Sequence, residues 1–156
     1  SITVGSSYGG VIVAYLLQPG DFGYVPGETH GLIAAPYDQS AGITWGCNDA
    51  YAGSTNIGGG AGNTYYISLM CGPGTAARLC DDLVLGGYSD WYLPNKLELS
   101  KLYKNRIAIG GFSGWGYWCS NEFNYTNAWR ILFWGGYDDY YSKVYGSYAV
   151  RAVRLF

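Results

Sequence analysis

Apolar positions in this chain fall into short runs separated by glycine and proline, and the spacing within each run predicts a mixed fold. Residues 9–17 carry two glycines and then a run rich in Val, Ile and Tyr, the pattern of a buried strand. Residues 18–30 hold two Pro and three Gly and read as an irregular loop. Residues 31–35 form a second short apolar strand. Residues 36–62 are turn-rich; a loop of that length in a compact domain is functional or packed on itself, with Trp45 and Cys47 as the expected anchors. Asn63-Thr64 offers an N-cap for a helix to about Met70. Residues 72–75 break the chain, and residues 75–83 restart it with Ala76, Leu79, Cys80 and Leu83 on one helical face. Asn95, with Glu98 three residues on, matches a capping box. It opens a third helix with the stripe Leu97, Leu99, Leu102 and Tyr103. Residues 117–120, 128–134 and 143–156 read as strands, with residues 135–139 as a hairpin turn. Strand, helices, then strands predict an α+β fold: an antiparallel sheet in which the termini meet, two or three short helices and long loops. There is no repeat and no linker, so residues 1–156 read as one domain.

Composition narrows the class. Apolar residues make up 49% of the chain and charged residues 13%, which excludes disorder. The 25 Gly and 17 Tyr favour turns, half-buried strands and recognition surfaces, since Tyr offers rigid contact area at small entropic cost. A net charge of −2 gives no field for a nucleic acid. No apolar run reaches the ~18 residues of a membrane span, so no membrane insertion is expected. The chain lacks an initial Met and a signal-like leader, and reads as a piece cut from a longer protein. Its four cysteines (Cys47, Cys71, Cys80, Cys119) lack the CxxC spacing of a zinc site. Two disulfides in an exported domain, or buried free thiols, both fit.

Candidate catalytic chemistry is thin. Residues 72–77 fit G-x-G-x-x-A, but a helix rather than a strand precedes them, so they read as a turn between helices. His30 is the one histidine, and no G-x-S-x-G accompanies it. Metal enzymes fail for want of ligands. Asp81 and Asp82 lie on a helix and point apart. Asp138 and Asp139, placed at the hairpin tip with Asn124 and Asn127 near, are the one calcium candidate. Otherwise no cofactor is expected. The sequon at residues 124–126 reads as chance.

One concentration of charge stands out. Lys96, Lys101, Lys104 and Arg106, four of the nine basic residues, fall within eleven positions. Lys101 and Lys104 share a helix face away from the apolar stripe. In an acidic chain such a face attracts sulfate and carboxylate groups. Tyr103 and the Trp115/Tyr117 segment would add flat area for sugar rings. The bland alternative is a solvated face with cations favoured by the helix dipole.

Residues 86–99 (GGYSDWYLPNKLEL), residues 117–120 (YWCS) and residues 150–154 (VRAVR) are too specific to be composition effects. With Gly9-Gly10, residues 31–35, Trp45-Gly46 and Asn63-Thr64, they resemble the C-terminal domain of the Legionella collagen-like adhesin (Lcl) family. The resemblance implies a C-type-lectin-like (formylglycine-generating-enzyme-like) fold and a secreted or bacterial cell-surface location. It implies a non-enzymatic adhesin head that binds sulfated glycosaminoglycans or other anionic polysaccharides as a homotrimer on a collagen-like stalk. Trp91, Trp118 and Trp129 match the family as core residues. Arg151 and Arg154 fit its terminal motif and point to opposite strand faces, with Asp90 or Glu122 as expected partners. Sugar-binding C-type lectins carry Glu-Pro-Asn or Gln-Pro-Asp and Trp-Asn-Asp; this chain has Leu93-Pro94-Asn95 and no Trp-Asn-Asp, so calcium-dependent monosaccharide binding is not carried over. Nor are there paired reactive cysteines for formylglycine chemistry. The rival reading is a protein-receptor-binding module that uses aromatic loops around Trp115 and Tyr140.

Overall fold

A computed structural model describes residues 1–156. The fold is mixed α+β, with two sheets and four short helices. The first sheet has the order β1 (Ser7–Tyr8), β2 (Val11–Leu16), β3 (Gly31–Ala34), β9 (Val153–Leu155), all antiparallel, so strands from both ends of the chain do share it. The second has the order β4 (Ser40–Ile43), β8 (Tyr148–Val150), β5 (Gly116–Glu122), β6 (Asn127–Leu132), β7 (Tyr137–Ser142). Its β5–β8 pair is parallel, so this sheet is mixed. The helices are α1 (Gly59–Cys71), α2 (Ala76–Asp81), α3 (Lys96–Lys104) and α4 (Arg106–Ile109).

The strand expected over residues 143–156 is three pieces. After β7 the chain turns, joins the second sheet as β8, and crosses at Arg151-Ala152 to join the first as β9. Arg151 is buried at that crossing. The long segment at 36–62 contains β4 and is held down where the sequence suggested. Trp45 is fully buried and its indole donates to the Cys119 carbonyl at 2.8 Å. Cys47 is bonded to Cys71, while Cys80 and Cys119 are buried free thiols. Thus neither cysteine alternative holds for all four residues. Trp91 and Trp118 are core residues; Trp129 is only partly buried, with the Lys96 ammonium over its ring.

The first helix begins at Gly59, four residues before the expected Asn63 cap. The glycine run resembles a breaker, but it permits close approach: a side chain at Gly60 would collide with the Glu98 carboxylate and the Leu93 carbonyl. Asn63 lies inside α1, buried, donating to the Ser54 carbonyl and the Ser120 hydroxyl. The capping box at α3 is present, with Asn95 and Glu98 each accepting the other's backbone N–H. Glu98 is fully buried and also accepts from Gly58 N (2.8 Å), Gly60 N (3.2 Å) and the Tyr92 hydroxyl. Burial pushes its carboxyl above the usual range, against the pull of these donors. One carboxylate therefore ties the starts of α1 and α3 together.

The β6–β7 turn occupies residues 133–136, because Leu132 pairs with Tyr137. Asp138 and Asp139 are consequently strand residues on opposite faces, not a hairpin tip. Replacing both Cys47 and Cys71 with Ser opens a link across a sequence separation of 24 residues. The expected loss is about 3 kcal/mol in urea unfolding; an unchanged midpoint would contradict the anchoring role of this bond.

Candidate functional site

The site is built where α3 gives way to α4. Asn105 ends the first helix and its side chain donates to the Ala14 carbonyl at 2.8 Å, which fixes the bend against β2. The chain then runs through residues 110–115 into β5. This loop is fastened from below. Arg151 donates through Nη1 to the Gly110 (3.0 Å) and Ala35 (3.1 Å) carbonyls and through Nη2 to Asp38 (2.9 Å). Asp38 also accepts from the Tyr117 hydroxyl (2.8 Å) and from the Ser113 backbone and hydroxyl. The same Tyr117 hydroxyl accepts from Gly114 N at 2.9 Å. The guanidinium lies 4.0 Å from the centre of the Phe112 ring. Gly111 sits against the Pro36 carbonyl with φ +73°, a place closed to any side chain. Burial lowers the basicity of Arg151, and the Asp38 charge opposes that effect. Burial and the bond to Asp38 raise the Tyr117 phenol, which stays protonated as a donor.

Above this floor lies a groove of about 490 Å³, lined by Arg106, Ile107, Phe112, Trp115, Phe133 and Trp134. Its rims are exposed: Ile107 by 87%, Trp134 by 67% and Trp115 by 56%. The Arg106 guanidinium stacks 4.1 Å from the Tyr103 ring centre and donates to the Tyr103 carbonyl at 2.9 Å. The Tyr103 ring is in turn seated edge-on against Phe133. These contacts hold Arg106 in place without neutralising it.

The nine cations divide sharply. Lys96, Arg130, Lys143, Arg151 and Arg154 each pair with a carboxylate, namely Asp138, Asp139, Glu122, Asp38 and Asp90. Arg154 thus takes the expected Asp90, while Glu122 goes to buried Lys143 instead. Arg78 donates to the Ser68 carbonyl. Of the four cations without an ion pair, Lys101, Lys104 and Arg106 lie on α3 and α4, and Arg78 lies on α2. Lys104 is exposed and makes no side-chain hydrogen bond.

The sequence-derived set is therefore split. Arg106 and Trp115 meet in the groove, with Tyr103 behind Arg106. Lys96 is drawn to the β6–β7 side, 2.9 Å from Asp138 and 3.4 Å over the Trp129 ring. Lys101 is drawn to the β2 side, 4.9 Å over Tyr15, where it acts electrostatically on Asp21. Tyr117 is fully buried, so its ring offers no contact area; it positions the loop that carries Trp115. Asp138 and Asp139 are taken by Lys96 and Arg130, and no cluster of three His, Cys, Asp or Glu is present. Asn124 closes its own turn by accepting from Thr126 N and Asn127 N. His30 bonds Glu28 and the Phe156 carbonyl, and the Glu28 bond raises its basicity. Ile107, Phe112 and Trp134 join the site without a motif of their own; a Trp beside the Gly135-Gly136 pair is the one sign in the sequence of an exposed ring at a turn.

The family model for the Lcl C-terminal domain matches residues 35–154, and the chain belongs to that family. Among solved structures, the chain is similar to the crystal structure of a fimbrial protein from Bacteroides ovatus ATCC 8483, with a TM-score of 0.50 and 15% identity. The likeness covers 92% of this chain and 43% of that one, and it concerns the fold. No curated protein matches the chain.

Arg151→Ala strands the buried Asp38 carboxylate, and the expected cost is about 3–5 kcal/mol in urea unfolding. Tyr117→Phe removes one donor–acceptor hydroxyl, with an expected cost of about 1–2 kcal/mol and faster amide exchange at Gly114. A cost below about 1 kcal/mol for Arg151→Ala would contradict the role given to this network.

Proposed function

We propose that this domain is a non-enzymatic, extracellular adhesin head with a C-type-lectin-like fold, and that it binds anionic polysaccharide of the sulfated glycosaminoglycan type at the α3–α4 groove. The observation that carries the reading is that three of the four cations without an ion pair lie on α3 and α4. In a chain of net charge −2 they share two consecutive helices, and Arg106 lines a groove rimmed by two exposed tryptophans. Arg106 presents forked donors to a sulfate or carboxylate, Lys104 adds a mobile charge, and Trp115 and Trp134 offer faces to the sugar rings. Lys101 lies further round the helix and extends the attraction. Membership of the Lcl C-terminal domain family and the fold likeness to a protein described as fimbrial support a surface role. No helix is long and apolar enough to cross a membrane.

The family resemblance adds a homotrimer on a collagen-like stalk. Three grooves on one stalk would multiply a weak single-site affinity. Light scattering of the stalked protein is expected to give the trimer mass, and a monomer would contradict this part. The reading requires no calcium, so binding is expected to survive EDTA.

Lys104→Glu combined with Arg106→Glu is expected to weaken binding to immobilised heparin by about tenfold or more, as charge-assisted contacts are lost. Rising salt is expected to weaken the wild-type domain in the same way. Unchanged retention of the double variant would refute the groove. The second reading, protein-receptor recognition, is favoured by the exposed aromatic edge of β7, with Tyr137, Tyr140 and Tyr141. It predicts binding that ignores salt and fails in Trp115→Ala or Tyr140→Ala.

A further inference from the structure

On the sheet face turned away from Lys96, strand pairing sets Trp118, Arg130 and Asp139 in one row across β5, β6 and β7. Arg130 is 8% exposed. Its Nη2 donates to Asp139 at 3.0 Å and its Nε donates to the other carboxylate oxygen. Three rings surround the guanidinium, with Tyr148 at 4.3 Å, Tyr141 at 5.1 Å and Trp115 at 5.5 Å. Trp115 and Tyr141 each meet Tyr148 edge-on, so the three rings pack as a group. Yet Nη1 is buried and makes no well-aligned hydrogen bond, although the Tyr148 hydroxyl is near enough to interact with the guanidinium. A buried donor left unmade costs stability, so a site that keeps one is prepared for an acceptor from outside.

We propose that this row is a second binding site, one that takes a neutral pyranose ring of a glycan. The apolar C–H face of such a ring packs on the exposed sides of Trp115 and Tyr141. One hydroxyl accepts from Arg130 Nη1, which requires a small rotation of the covering rings. A neighbouring hydroxyl donates to Asp139, whose side chain is 43% exposed. Neutrality follows from the charges. Asp139 already cancels Arg130, so a sulfate gains nothing here and meets a carboxylate, while a cation meets the guanidinium. The site overlaps the anionic groove at Trp115 alone and uses none of Lys101, Lys104 or Arg106.

The test is an array of neutral glucan, galactan, mannan and chitin oligosaccharides, probed with the whole domain in about 1 M salt, where the screening length is only ~3 Å. Capture on at least one of these neutral glycans is expected, equally for wild type and for Lys104→Glu with Arg106→Glu. Tyr141→Ala is expected to weaken that capture by about tenfold, while Tyr141→Phe keeps it. Tyr141→Phe should melt at the wild-type temperature, and Tyr141→Ala, which removes a half-exposed ring packed on Tyr148, should lower it by only a few degrees and stay folded in the assay. No capture of any neutral glycan, or capture unaffected by Tyr141→Ala, overturns the proposal. Heparin retention is measured separately in the same variants, so that failure of the neutral site and failure of the anionic groove are distinguishable.

Discussion

Arg151 stands where the chain leaves one sheet for the other, and its pairing with Asp38 is the constraint on which the rest of the binding surface depends. Five donor groups of one guanidinium have to be satisfied in a place closed to water. Four of them are used, two on Asp38 and one each on carbonyls from segments that are distant in sequence, Ala35 and Gly110. Asp38 then has capacity left for Tyr117 and Ser113, and Tyr117 for Gly114. The loop that carries Trp115 is therefore set by the interior, not by its own contacts with solvent. A hydrophobic substitute for the pair could match it in stability. It could not at the same time hold three loops in register, which is the service a rigid recognition surface needs.

The same economy of charge explains what is left on the surface. Carboxylates neutralise five of the nine cations, including buried Lys143 on Glu122 and Arg154 on Asp90. Arg106 is held by the carbonyl and ring of Tyr103, contacts that fix direction without cancelling charge. A weakly acidic domain can thus present a local positive face, and short-range attraction near an apolar rim outweighs a screened net repulsion from the far side.

Much of this was legible in the sequence. The Asn95–Glu98 box, the Trp45 and Cys47 anchors, the burial of Trp91 and Trp118, and a carboxylate partner for a terminal arginine, with Asp90 one of two candidates, follow from local spacing or from the family resemblance. What was not legible depends on contacts across the fold. The Gly58–Gly60 run reads as a breaker until buried Glu98 is seen pressing against it. Asp138 and Asp139 look like a metal-binding tip until strand register assigns each a cation on a different face. Tyr117 looks like contact area because a tyrosine that is buried for its hydroxyl has the same letter as one exposed for its ring. The basic cluster is visible as a cluster, but helix rotation sends Lys96 to the β6–β7 side and Lys101 to the β2 side, and leaves Arg106 as the member that lines the groove.

The central claim is one of place: a polyanion settles on the α3–α4 groove. Nuclear magnetic resonance titration of the labelled domain with a defined heparin oligosaccharide tests it most directly. The account predicts shifts in the Trp115 and Trp134 indole N–H signals and in the backbone of Lys104 and Arg106, with the Lys96 and His30 regions unmoved. Shifts confined to other surfaces, or none at saturating oligosaccharide, would contradict it.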